Sequence, residues 1–175
     1  MKLVLGEFFQ DHKDDIFQRW IDLYWSKYGE SKTYLKKGAD PFQNPFAFHV
    51  EECFKGILDF LSEELNFSFI DPYLEKLAQL RATQEGSLSL ALSFLIDLKA
   101  LIREHWGEEI VQRYGINAIL EFEDLLSALL LRVGDYYLKY RERIYDLKIE
   151  EWKRNHYLLL KRAGLLDQSY QEKHQ

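Results

Sequence analysis

The chain has 175 residues, 47% of them apolar and 30% charged, and a formal net charge of −6, which describes one folded domain with a real core rather than a disordered chain or a nucleic-acid-binding surface. Its single cysteine, Cys53, excludes an internal disulfide and fits a reducing compartment. No apolar run reaches the roughly 18 residues of a membrane span, and MKLVLGEFFQDHKDD meets acidic residues too early for a signal peptide. A cytoplasmic protein is therefore expected.

The periodicity is helical throughout, so the fold class read from it is all-α. The three prolines all lie before residue 73, and no run alternates with period two over strand length. The first helix is predicted from about Glu7 to Tyr28, on the stripe Phe9, Ile16, Trp20 and Leu23, with Gly29 ending it. Gly38 and the segment DPFQNP form the main connection, and the residues before Pro41 and Pro45 are biased away from helix. Asn44 caps a second helix that starts on Pro45 and runs to about Leu65, with Phe46, Val50, Cys53, Ile57 and Leu61 on one face. Asp71-Pro72 repeats the cap-then-proline start, for a shorter helix reaching about Gln84. Gly86-Ser87 breaks and recaps the chain. The most apolar helix follows, from Leu88 to about Trp106, with Gly107 and Gly115 bracketing a connector.

From about Asn117 to Ala163 the helical pattern runs on without a proline. At 1.5 Å per residue that is roughly 70 Å, against roughly 30 Å for such a domain. Either the helix kinks, with Gly134 the candidate, or its distal half projects. Val133, Tyr137, Tyr140, Ile144 and Leu147 keep a seven-residue-like spacing that reads as a homodimer seam. The alternative is that this helix folds back on its own domain.

Candidate chemistry is sparse. There is no CxxC, no HExxH, no pair of histidines at i and i+4, and no phosphate-binding glycine loop. Neither a metal site, a cofactor nor catalysis is expected. Cys53 lies on an apolar face without an activating base, as an inert core residue does. Of the five histidines (His12, His49, His105, His156 and His174), His49 is the better buried candidate should a haem be bound.

The last helix differs from the rest in charge. Arg132 to Ala163 holds nine Lys or Arg against five Asp or Glu, while the remainder is about −10. Trp152, Leu158, Leu159, Leu160, Leu165 and Leu166 stand beside Lys153, Arg154, Lys161 and Arg162. Large apolar side chains mixed with basic ones suit an acidic protein partner or, less well, an anionic membrane surface. Packing on the chain's own domain is the rival reading. The dense aromatics, 12 Phe, 11 Tyr and 4 Trp, supply core area or the lining of an apolar ligand pocket.

Three segments, in order, resemble one family. They are DPFQNPFAFHVEECF from Asp40, RATQEGSLSLALSFLIDLKALIRE from Arg81, and YLKYRERIYDLKIEE from Tyr137. The family is the N-terminal domain of the RsbR/RsbRD proteins, stressosome-type co-antagonists of bacterial stress signalling, and the resemblance covers roughly Phe9 to Glu151. It implies a globin-like helical fold without haem, homodimerisation through helices, and a sensory turret on a complex whose core is built of STAS domains phosphorylated by the kinase RsbT. The stretch after Glu151 is too short for a STAS domain, so the kinase link is not carried over. The expectation is a sensory domain over 1–150 with a helical docking tail over 151–175, standing alone or cut at a domain boundary. Its function is then regulatory, exercised on an unidentified protein partner. Binding of an apolar ligand or haem is the alternative.

Overall fold

The computed structural model describes residues 2–27, 42, 44–84 and 86–164. The fold is all-α. Five helices are described: α1 (Gly6–Ser26), α2 (Pro45–Ser62), α3 (Phe67–Ala82), α4 (Leu88–Tyr114) and α5 (Ile116–Arg162). An isolated bridge between Lys2 and Glu64 is the extended pairing recorded among the described residues. The expected stop at Gly29, Gly38, Asp40, Pro41 and Gln43 of the DPFQNP turn, and Leu165, Leu166 and His174 lie outside the described residues.

The helix starts follow their capping chemistry. The Asn44 side chain accepts the Ala47 N–H at 3.1 Å, with Pro45 at the first helical position. The Ser87 hydroxyl accepts the Leu90 N–H at 3.3 Å. Helix α3 corrects the sequence reading: it begins at Phe67, not at Pro72, because Asn66 caps Ser68 at 3.0 Å and fully buried Ile70 holds the first turn down. Pro72 is carried inside the helix, where its missing N–H removes one bond to the preceding turn. Asp71 is then free of capping duty and faces α5. Helix α4 also differs. It continues through Gly107 to Tyr114, because Trp106 and Ile110 are buried and hold the extra two turns. The break comes at Gly115, whose φ of +82° a side chain would strain.

The helices contact one another in a ring: α1 on α2, α2 on α3, α3 on α5, α5 on α4, and α4 back on α1. The core fills its centre. Trp20 stacks on Phe54 with ring centroids 4.0 Å apart, Phe54 stacks on Phe94 at 5.7 Å, and Tyr24 meets Phe54 edge-on at 5.0 Å. The buried Trp20 indole donates to the Phe94 carbonyl at 2.7 Å, so its polar edge is satisfied. A fully buried aromatic of this size contributes roughly 1.5–3 kcal/mol of hydrophobic stabilisation. Gly56 lets α2 and α3 close: a Cβ there would lie 2.7 Å from the Tyr73 ring.

Helix α5 is continuous over 47 residues, through Gly134. Gly134 is no break, and a Cβ on it would make only an ordinary contact, 3.9 Å from a Leu92 methyl carbon. The resolution of the length problem is projection. The last buried residue on α5 is Tyr137, and the helix ends 25 residues later at Arg162, followed by Gly164 with φ +68°.

Candidate functional site

A polar seam between α3 and α5 marks where the long helix leaves the body. Asp71 and Glu75 lie one turn apart on α3. Arg132 holds Asp71 with two nitrogens, at 2.8 and 2.5 Å, and its guanidinium lies 5.0 Å over the Phe67 ring. Asp71 keeps the Arg132 proton held more tightly than usual by this hydrogen bond. Glu75 accepts from Tyr140 Oη at 3.1 Å and from Lys139 at 3.2 Å. Tyr136 and Tyr140 are shifted upward in pKa, first by desolvation and then by these carboxylates. At the far end Arg141 donates to the Ala82 carbonyl at 3.1 Å and to the Tyr145 hydroxyl at 2.7 Å. The second and third signature segments, Arg81-Ala82 and Tyr137 to Tyr145, thus meet in space.

Arg81 is itself buried. It donates to Gln84 at 2.9 Å and lies 5.9 Å over the Tyr24 ring. Burial pushes the Tyr24 hydroxyl pKa up, although the Arg81 charge pulls it down. Cys53 is pushed up to about 12 by desolvation, then by Glu52, as befits a thiol in the core.

The stripe expected to be a dimer seam is turned inward along most of its length. Val133 and Tyr137 are 1% and 5% exposed and pack on the chain's own core. Tyr140 and Ile144 are half-buried against it, and of the five only Leu147 is exposed, at 58%. The same 3.6-residue repeat that builds a seam also builds an ordinary core face, and here α3 and α4 occupy it. The rival reading, packing on the chain's own domain, describes this half of the helix.

The residues expected to dock a partner lie beyond it. Trp152 and Leu159 are each 63% exposed, and Leu158, Lys153, Arg154, Lys161 and Arg162 are exposed as well. Trp152 stacks on His156 with centroids 4.8 Å apart. Sequence reasoning missed Leu138, Tyr145 and Ile149, which are exposed on the same helix. Their signal was present: Leu131, Leu138, Tyr145, Trp152 and Leu159 stand seven residues apart.

A second apolar surface lies between α4 and the start of α5. It is a groove of about 570 Å³ that includes Gly107, Val111, Ile116, Leu120 and Glu123 in its lining. Ile96 and Leu131 are exposed nearby in chain order on the same two helices.

The histidine expected to be best buried is not. His49 is part-exposed, its side chain is 36% accessible, and its Nδ1 lies 3.3 Å from Glu52. His12 is more enclosed, stacked on Phe8 at 4.5 Å and edge-on to Trp106 at 5.8 Å, with Nδ1 donating to the Phe8 carbonyl. Among the described residues no three metal-ligating side chains cluster, and no helix is long and apolar enough to cross a membrane.

No curated protein and no solved structure matches the chain. A family model does, that of the RsbT co-antagonist protein rsbRD N-terminal domain, over residues 14–152. The matched span takes in most of α1, all of α2 to α4, and α5 as far as Trp152. The three signature segments, the seam that two of them form and the extent of this match place the chain in the rsbRD N-terminal domain family.

Proposed function

We propose that this chain is a non-catalytic sensory and regulatory interaction module of bacterial signal transduction, of the stressosome type, acting as a cytoplasmic homodimer. The observation that carries the reading is the exposure of the distal half of α5, where Trp152 and Leu159 stand in solvent beside basic residues. A helix end so apolar is a place for another molecule to bind. Family membership sets the class of process. The ring of helices is taken as globin-like and haem-free.

The homodimer is assigned to the α4–α5 groove with Ile116 and Leu120, since Val133 and Tyr137 are occupied. In the mechanism, an event at the aromatic core alters how α5 is held by Asp71 and Glu75, and the distal half passes the change on. A ligand drives this only through different affinity for the two packings. Two measurements test the reading. Light scattering with an absorbance spectrum should give a dimer and the aromatic band alone; a Soret band would overturn the haem-free assignment. Capture of a partner from the source cells should be lost when the chain is cut after Glu151, and capture that survives the cut sinks the docking role.

A further inference from the structure

We propose that the outer face of distal α5 docks an amphipathic helix of another protein whose flanking positions are acidic. This rests on the interaction-module reading and names the partner's chemistry.

The face has the spacing of a two-helix seam. Leu138, Tyr145, Trp152 and Leu159 repeat every seven residues, and Glu142, Ile149 and His156 fall between them at alternating steps of four and three, the one acidic member standing at the end nearest the body. All seven are exposed. A stripe this narrow, kept in strict heptad register, fits one further helix better than a flat surface.

The positions beside the stripe set the partner's sign. Arg141, Lys148, Asn155 and Arg162 run along one side, and Lys139, Asp146, Lys153 and Leu160 along the other. Lys139 and Arg141 are already bonded to Glu75 and to the Ala82 carbonyl. Lys148, Lys153 and Arg162 are in no ion pair with the described residues. The acidic Glu150 and Glu151 fall on the opposite side of the helix.

A second copy suits this face poorly. Paired in parallel, Glu142 would meet Glu142 in the seam and Lys148 would face Lys153. The one attractive pairing, Arg141 with Asp146, would draw on an arginine already held by Ala82 and Tyr145. Paired antiparallel, each row would face itself, so that Arg141 would meet Arg162 and only Asp146 beside Lys153 would attract. A helix with Glu or Asp beside its apolar stripe satisfies the same positions, so the pattern selects against self and for an acidic partner.

The test uses the full chain and two synthetic helical peptides of about four heptads with Leu at both seam positions. One carries Glu at the flanks and the other Lys; fluorescence anisotropy reads binding. The acidic peptide should bind, weaken as salt rises, and exceed the basic peptide by about tenfold or more. Trp152→Ala/Leu159→Ala should abolish binding, and Lys148→Glu/Lys153→Glu should reverse the preference, with unchanged thermal unfolding showing the body intact. Equal binding of both peptides, or of neither, overturns the proposal. So does a drop in dimer mass on Trp152→Ala/Leu159→Ala, which would give the face to a second copy. Sedimentation with phosphatidylglycerol vesicles that is lost in the same variant would give it to a membrane and likewise overturns it. A cellular partner lost with Trp152→Ala/Leu159→Ala but indifferent to Lys148→Glu/Lys153→Glu leaves the interaction module standing and removes the acidic helix.

Discussion

Arg132 on α5 and Asp71 on α3 form a two-pronged ion pair across 61 residues of sequence, at 2.8 and 2.5 Å. Both side chains are part-exposed, 41% and 27%, so solvent screens the pair. Arg132→Ala should destabilise the domain by about 1 kcal/mol, a little more than the charge alone because the contact over Phe67 goes too. The loss should be local. Amides from Lys139 to Tyr145 should exchange faster, while those near Trp20 and Phe54 do not change. Uniform loss of protection would show that the seam is not a separate unit.

Trp20→Phe keeps the ring in the stack with Phe54 but removes the N–H that reaches the Phe94 carbonyl. A destabilisation of about 1–3 kcal/mol is expected, from a lost buried hydrogen bond and a smaller ring. Urea unfolding measures it. A value near zero would mean that the Phe94 carbonyl needs no donor beyond its own helix.

Gly56→Ala sets two effects against each other. Alanine gains up to about 1 kcal/mol of helix propensity. Its methyl group would lie 2.7 Å from the Tyr73 ring, and overpacking of that kind costs about 1–3 kcal/mol. Net destabilisation is expected in the wild-type background, and stabilisation once Tyr73→Ala has cleared the space. A double-mutant cycle that shows the two changes as additive would reject the clash.

Alkaline pH should weaken the fold. The Cys53 thiol ionises near 9.0 when unfolded but near 12 when folded, because burial disfavours the thiolate. The folded state therefore holds the extra proton between those values. Stability from this site is complete below pH 9 and is lost as pH rises toward 12. Tyr24 adds in the same direction. Cys53→Ala should shallow the decline in denaturation midpoint above pH 9, whatever it does to stability at neutral pH.

Trp152→Ala and Leu159→Ala, at exposed positions past the last buried residue, should each change stability by less than about 0.5 kcal/mol. Thermal unfolding decides this. A larger loss would mean that the distal helix packs on the body in solution.

The elements were legible in the sequence wherever local chemistry governs them. Asn44-Pro45 and Ser87 start helices because a side-chain oxygen meets free amides there. Local rules misplaced the ends that tertiary packing decides. Asp71-Pro72 reads as a cap, yet Ile70 draws the preceding turn into α3 and Asp71 serves Arg132. Gly107 reads as a break, yet Trp106 and Ile110 carry α4 past it. The candidate surface was half legible. Trp152 and Leu159 were found by their contrast with neighbouring lysines and arginines. The inward stripe was mistaken for a seam because periodicity identifies an apolar face without saying which neighbour covers it. The carboxylates of the α3 seam were missed, since Asp71 reads as a cap and Glu75 as an ordinary solvated charge until α5 is laid beside them.

The single unbroken α5 makes the domain a lever. From Tyr140, the last residue tied to Glu75, to Arg162 the axis extends about 33 Å. A tilt of about 5° at the seam, small enough to be absorbed by side-chain adjustment around Phe54 and Phe94, carries the tip through about 3 Å. The movement is sideways, about a third of the roughly 8–10 Å between packed helix axes, enough to unseat a helix docked on the stripe. Amplitude would then be set by arm length rather than by the size of the change in the core, and a proline placed at Leu147 should silence the output by breaking the arm while leaving both of its ends intact.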